Sequence, residues 1–241
     1  MERHQSRRRT RFWSVARRLL WIAGAMVAMF AGSLAAEIAG HYARIGQMQR
    51  LALGEVVILL VGAGCALLDR DGVRNLGLLG HWKDYDVAII TGTIVLHYAI
   101  SFAASAALIA SGKGSSMEGQ QINQVFRSFT AYQAGPFLLM AAGLTLLVGL
   151  AEELLFRGYI ISRLDKAGLP GWLCILLSAA IFAAVHVPGY GLLLALPKIG
   201  LGIMFAVYFW YRRNLGPLII SHFLIDFSGF VLAYLTGSLV K

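Results

Sequence analysis

"LVGLAEELLFRGYI", Leu147 to Ile160, places two carboxylates and a guanidinium inside a hydrophobic run. Apolar residues flank Glu152, Glu153 and Arg157 on both sides, so the stretch reads as membrane-buried helix. Ionised side chains are expensive at that depth and point to function by default. Residues four apart share a helix face, so Glu153 and Arg157 pair within the helix, while Glu152 points about 100° away. One carboxylate is tied up in a clasp and the other is available for a site.

The rest of the chain supports the membrane reading. Of its 241 residues 58% are hydrophobic and 14% charged, with a mean hydropathy of +0.69. Soluble domains carry roughly a quarter charged residues. Runs long enough to span the hydrocarbon as helix fall at about 17–38, 51–68, 87–110, 136–163, 171–187, 192–211 and 216–237. The expected fold is an all-α polytopic membrane bundle of about seven transmembrane helices, six to eight, with the site between the later ones. A Pro/Gly turn, "VPGYG" (187–191), separates the fifth and sixth runs. The chain divides into a basic arm (1–16), N-terminal transmembrane helices (17–134) and a C-terminal core (135–237). Cys65 and Cys174 lie in apolar runs and have neither disulfide-framework nor metal-ligand spacing.

The net charge of +9 is unevenly distributed. Arg3, Arg7, Arg8, Arg9, Arg11, Arg17 and Arg18 precede or open the first span. Beside a membrane such an arm holds the N-terminus in the cytoplasm and touches anionic lipid, and it is not read as a nucleic-acid site. With the N-terminus inside, 15 of the 21 Lys and Arg residues fall on the inner side. "GSLAAE" offers small residues for signal cleavage, but the apolar stretch Leu19–Ala36 exceeds the usual ~7–15-residue signal core and reads as a retained anchor.

Further polar residues interrupt the later spans: Phe182 and His186 in "FAAVH", His222 and Asp226 in "SHFLID", and Lys198. Singly, each histidine reads as a helix–helix hydrogen bond and Lys198 as a side chain snorkelling outward. Together, a spare glutamate and two histidines supply a base and polar donors that activate water, stabilise an oxyanion or hold a metal. Tyr159, Tyr190 and Trp210 read as interfacial anchors, with a cleft lining as the alternative. There is no His-Glu-x-x-His helix, no Gly-x-Ser-x-Gly elbow and no phosphate-binding glycine loop.

In order along the chain, "EELLFR", "FAAVH" and "HFLID" resemble the three motifs of the CAAX protease and bacteriocin-processing (Abi, CPBP) family: Glu-Glu-x-x-x-Arg, Phe-x-x-x-His and His-x-x-x-Asn/Asp. The resemblance covers roughly residues 135–236. It implies an intramembrane endopeptidase of a bacterial or archaeal cytoplasmic membrane, acting on a peptide or protein with a membrane-proximal cleavage site. By position Glu152 corresponds to the water-activating glutamate, assisted by His186. His222 and Asp226 correspond to the pair that stabilises the oxyanion, and Glu153, Arg157 and Phe182 to supporting residues. No cofactor is expected; a divalent metal such as zinc, if one takes part, would use Glu152, His186 and His222, a poor zinc set without a further carboxylate.

Asp226 stands where the eukaryotic CAAX enzymes have asparagine, and an ionised aspartate would repel an oxyanion. The spans also set Glu152 and His222 in the inner half of the membrane and His186 near the far end of its run, some ~20 Å from the inner end. Two other functions are compatible with such helices. One is a non-catalytic regulator that binds a sensor or secretion partner; the other is a small transporter, for which the inverted repeats are lacking.

Overall fold

A computed structural model describes the backbone of residues 2–68, 76–78, 80–110 and 132–239. Their regular secondary structure is helical, with no strand among them. The helices are α1 (Glu2–Tyr42), α2 (Gln47–Leu67), α3 (Asp86–Ala110), α4 (Ala134–Glu152), α5 (Ser162–Lys166), α6 (Gly171–Arg212) and α7 (Gly216–Leu239). Between α4 and α5 the rod continues as a π segment, Glu153–Ile161. Of the expected N-terminal transmembrane region 17–134, residues 69–75, 79 and 111–131 lie outside the described residues.

Six helices among the described residues are long and apolar enough to cross a membrane: Val15–Tyr42, Gln47–Leu67, Asp86–Ala104, Ala134–Lys166, Gly171–Pro188 and Gly216–Leu235. The expected sixth span, 192–211, is the second half of α6. The secondary structure of α6 is helical from Gly171 to Arg212, with Pro188 and Pro197 inside it. Yet α6 is not a straight rod. A Cβ added to Gly202 would lie 3.0 Å from Ala179 Cα, and one added to Gly171 would lie 2.6 Å from the Trp210 ring. On a straight helix those pairs would be about 35 and 58 Å apart. The axis therefore reverses, and both pairs are centred between residues 190 and 191, inside "VPGYG". Pro188 and Pro197 each remove a backbone donor near the reversal, which weakens the ladder where it must bend.

Side-chain contacts sort the remaining ends. At one end Arg213 Nη2 donates to Asp165 Oδ2 (2.7 Å), Leu215 N donates to the Gly77 carbonyl (2.9 Å) and Asn214 Nδ2 donates to the His81 carbonyl (3.4 Å). At the other end Phe137 stacks on Tyr234 at 4.6 Å, and the Tyr234 hydroxyl donates to the Tyr132 carbonyl. Arg213, at a left-handed φ of 47°, closes α6 and directs the chain into α7.

The core is aromatic where α6 meets the π segment and α7. Phe156, Phe182, Phe205 and Phe209 are all fully buried. Two glycines let the backbones approach closely enough to seal it. Gly202 brings the limbs of α6 together, and Gly149 admits the Ile219 carbonyl to 3.0 Å of where its Cβ would sit, drawing α4 onto α7 beside His222.

Candidate active site

The sequence expects Glu153 and Arg157 to pair, and they do: Arg157 Nη1 donates to Glu153 Oε1 at 2.8 Å, with both side chains fully buried. The intervening backbone is π rather than α, an i→i+5 ladder of the kind that recurs at functional sites. The widened turn still leaves residue i+4 on the same face, so the pair survives the change. Ser178 on α6 donates to the Phe156 carbonyl within this segment (3.1 Å), tying it across to the neighbouring helix. The Arg157 guanidinium lies between two rings, 4.3 Å from the Phe182 centroid and 5.3 Å from that of Phe205. Cation–π contacts of this kind are worth about 2 kcal/mol when desolvated, and they offset part of the cost of burying the charge.

Glu153 does more than clasp arginine. The same Oε1 accepts from His222 Nδ1 at 2.8 Å, across 69 positions of sequence. That bond fixes the ring of His222 and turns its Nε2 toward two other carboxylates, Glu152 Oε2 at 3.5 Å and Asp226 Oδ2 at 3.4 Å. Glu152 Oε2 and His222 Nε2 are both buried without a hydrogen-bond partner.

On the other side of Glu152, Oε1 lies 3.8 Å from His186 Nε2. His186 Nδ1 donates to the Phe182 carbonyl at 2.7 Å, which leaves Nε2 as the nitrogen that faces Glu152. Phe182 packs between the two imidazoles, 4.8 Å from that of His186 and 6.1 Å from that of His222. All seven residues drawn from the three motifs thus meet in one place: Glu152, Glu153, Arg157, Phe182, His186, His222 and Asp226.

The depth mismatch anticipated from the spans does not arise. His186 lies 15 residues into α6 and Glu152 14 residues before the end of α5, about 20 Å along each rod. The fourth span runs on to Lys166, and this extension brings the two to one level.

Four further residues belong to this neighbourhood. Lys198 does not simply snorkel outward: its Nζ lies 4.0 Å from Asp226 Oδ1, with the side chain 16% exposed. Glu55, on α2, has a buried Oε2 without a hydrogen-bond partner and feels the charges of Glu152 and Asp226. His97, on α3, feels those of Lys198, Asp226 and His222. Phe205 faces His222 at 5.8 Å. Glu55 and His97 are ionisable groups in apolar spans and carry the same signal as Glu152; nothing in the sequence distinguishes Phe205 from other core phenylalanines.

Tyr159 is 2% exposed, with Arg163 over its ring at 5.2 Å, so it is a core residue and not an interfacial anchor. Trp210 packs on Gly171 and carries Arg213 over its ring at 5.0 Å. The Tyr190 side chain lies outside the described residues. Among the described residues no group of three or more His, Cys, Asp or Glu side chains is arranged to hold a metal ion.

Comparison with known families assigns the region that holds this cluster. Residues 134–228 match the family of type II CAAX prenyl endopeptidase Rce1-like proteins. This is the CAAX protease family that the three motifs resemble, and the matched CAAX endopeptidase-like region contains every motif residue from Glu152 to Asp226. Glu55 and His97 lie outside it. No curated protein and no solved structure matches the chain.

Proposed function

We propose that the chain is an intramembrane endopeptidase that hydrolyses a peptide bond of a membrane-associated protein or peptide, with Glu152 activating the water. The observation that carries this reading is the Glu152 carboxylate set between two imidazoles, Oε1 toward His186 Nε2 and Oε2 toward His222 Nε2. A carboxylate oxygen and an imidazole lone pair 3.8 Å apart suit a water donating one hydrogen to each. Glu152 takes a proton as the water attacks the carbonyl, and His186 holds the water's other hydrogen. His222, as an imidazolium whose Nδ1 hydrogen is held by Glu153, directs its Nε2 hydrogen at the oxygen on which negative charge develops.

In this reading the reaction needs no metal, and the site takes a peptide segment lying in or near the membrane. The protein resides in a bacterial or archaeal cytoplasmic membrane, with the basic arm on the cytoplasmic side, where it meets anionic lipid. The family match supports the peptidase assignment, and the hydrogen-bonding pattern of the two histidines supports the glutamate mechanism.

The test is comparative peptidomics of membranes carrying the wild-type protein or its Glu152→Ala, His186→Ala or His222→Ala variants. Peptides that disappear in all three variants support the reading. A phenotype rescued fully by Glu152→Ala would instead establish a non-catalytic regulator.

A further inference from the structure

Asp226 poses an electrostatic problem that the peptidase reading does not solve. Its Oδ2 lies 3.4 Å from His222 Nε2, the atom that would donate to the oxyanion. Glu152 Oε2 lies 3.5 Å from the same nitrogen. Because Nδ1 donates to Glu153, Nε2 carries a hydrogen only in the imidazolium form, and an oxyanion that takes that hydrogen arrives beside two carboxylates facing the same nitrogen. Arg157 does not relieve this crowding, because it is engaged with Glu153 and enclosed by Phe182 and Phe205.

Lys198 is placed to relieve it. It stands on the returning limb of α6, and its ammonium approaches the oxygen of Asp226 that faces away from His222, Oδ1 at 4.0 Å. Its charge also acts on His186 and His97, so it belongs to the same electrostatic cluster. Resting on the peptidase reading, we propose that Lys198 is a positioning residue: it neutralises Asp226 and frees the His222 Nε2 hydrogen for the oxyanion. Asp226 and Lys198 then act as a neutral pair, the counterpart of an uncharged side chain at position 226. The reversal of α6 is what makes the pair available, since it returns Lys198 to the level of the histidine that the outgoing limb carries.

A double-substitution cycle tests this. In wild-type background Lys198→Met should lower Glu152-dependent cleavage, read by quantitative peptidomics of expressing membranes, by about tenfold or more, while Lys198→Arg stays within about threefold. With Asp226→Asn already present, the charge to be balanced is gone, and adding Lys198→Met should change cleavage by less than about twofold relative to Asp226→Asn alone. Thermal unfolding in detergent should show the same coupling, with Lys198→Met lowering the melting temperature only when Asp226 is present. Equal effects of Lys198→Met in both backgrounds, or none in either, would overturn the proposal. If no peptide depends on Glu152, the peptidase reading fails by itself, and the unfolding cycle still decides whether Lys198 and Asp226 are coupled.

Discussion

Glu153 Oε1 lies 2.8 Å from His222 Nδ1 while also accepting from Arg157, so a single oxygen joins the π segment to α7. Removing it leaves the buried guanidinium without its paired carboxylate and the His222 Nδ1 hydrogen without its acceptor. Glu153→Ala is expected to destabilise the fold by about 3–5 kcal/mol, the usual cost of breaking a buried pair from one side. Glu153→Gln, which can still accept hydrogen bonds, should cost less. Chemical unfolding of purified protein in mild detergent measures both, and a loss below about 1 kcal/mol for the alanine variant would contradict the shared role.

Arg157 is held by its plane as well as by its charge, between Phe182 at 4.3 Å and Phe205 at 5.3 Å. Lysine keeps the charge but cannot stack as a planar guanidinium does. Arg157→Lys should therefore destabilise by about 1–2 kcal/mol, with Phe205→Leu reducing the difference between arginine and lysine. Melting temperatures of the four variants in one detergent check the coupling. Arg157→Lys indistinguishable from wild type would remove the stacking argument.

Close helix contact makes a prediction independent of chemistry. Gly202→Val would drive a side chain into Ala179 of the opposing limb, where even a Cβ sits 3.0 Å from backbone. Overpacking of this kind costs about 1–3 kcal/mol or more. Gly143, whose added Cβ meets nothing within 4 Å, is the control, and Gly143→Ala should be neutral or slightly stabilising. Size-exclusion profiles and melting curves of the pair report the difference.

For the proposed chemistry, Glu152→Gln and His186→Ala should each reduce cleavage by about 10²–10⁴-fold with little change in melting temperature. Because both handle one water, the double variant should be scarcely worse than either alone. Chelators should leave the rate within about twofold, since the glutamate mechanism draws no Lewis acid into its steps. Loss of activity on chelation and its recovery with added zinc would replace that mechanism by a metal-dependent one.

Much of this site is legible in the sequence, for a physical reason. Charged residues inside apolar runs are rare enough that "EELLFR", "FAAVH" and "HFLID" stand out, and helix geometry alone pairs Glu153 with Arg157. The link from Glu153 to His222 is not legible, because it depends on how α4 and the π segment pack against α7. Nor is the π segment: its residues, Glu153–Ile161, are compatible with an ordinary α-helix, and only the tertiary contacts show the wider turn. Lys198 is visible as a polar residue, but its direction depends on the reversal of α6. The Pro/Gly stretch locates that reversal correctly. Glu55 and His97 carry a readable signal, yet without a surrounding motif nothing in sequence ties them to residues nearly a hundred or more positions away.

The reversal of α6 also bears on how the protein reaches the bilayer. Gly171 and Trp210 touch, so the two ends of the segment stay on one side of the membrane. During biogenesis, everything between them can enter the lipid as one hairpin, with no hydrophilic domain to be carried across. Lys198 then need not cross alone: it travels alongside an apolar limb already hydrogen-bonded along its own backbone, the condition lipid imposes on any inserted chain.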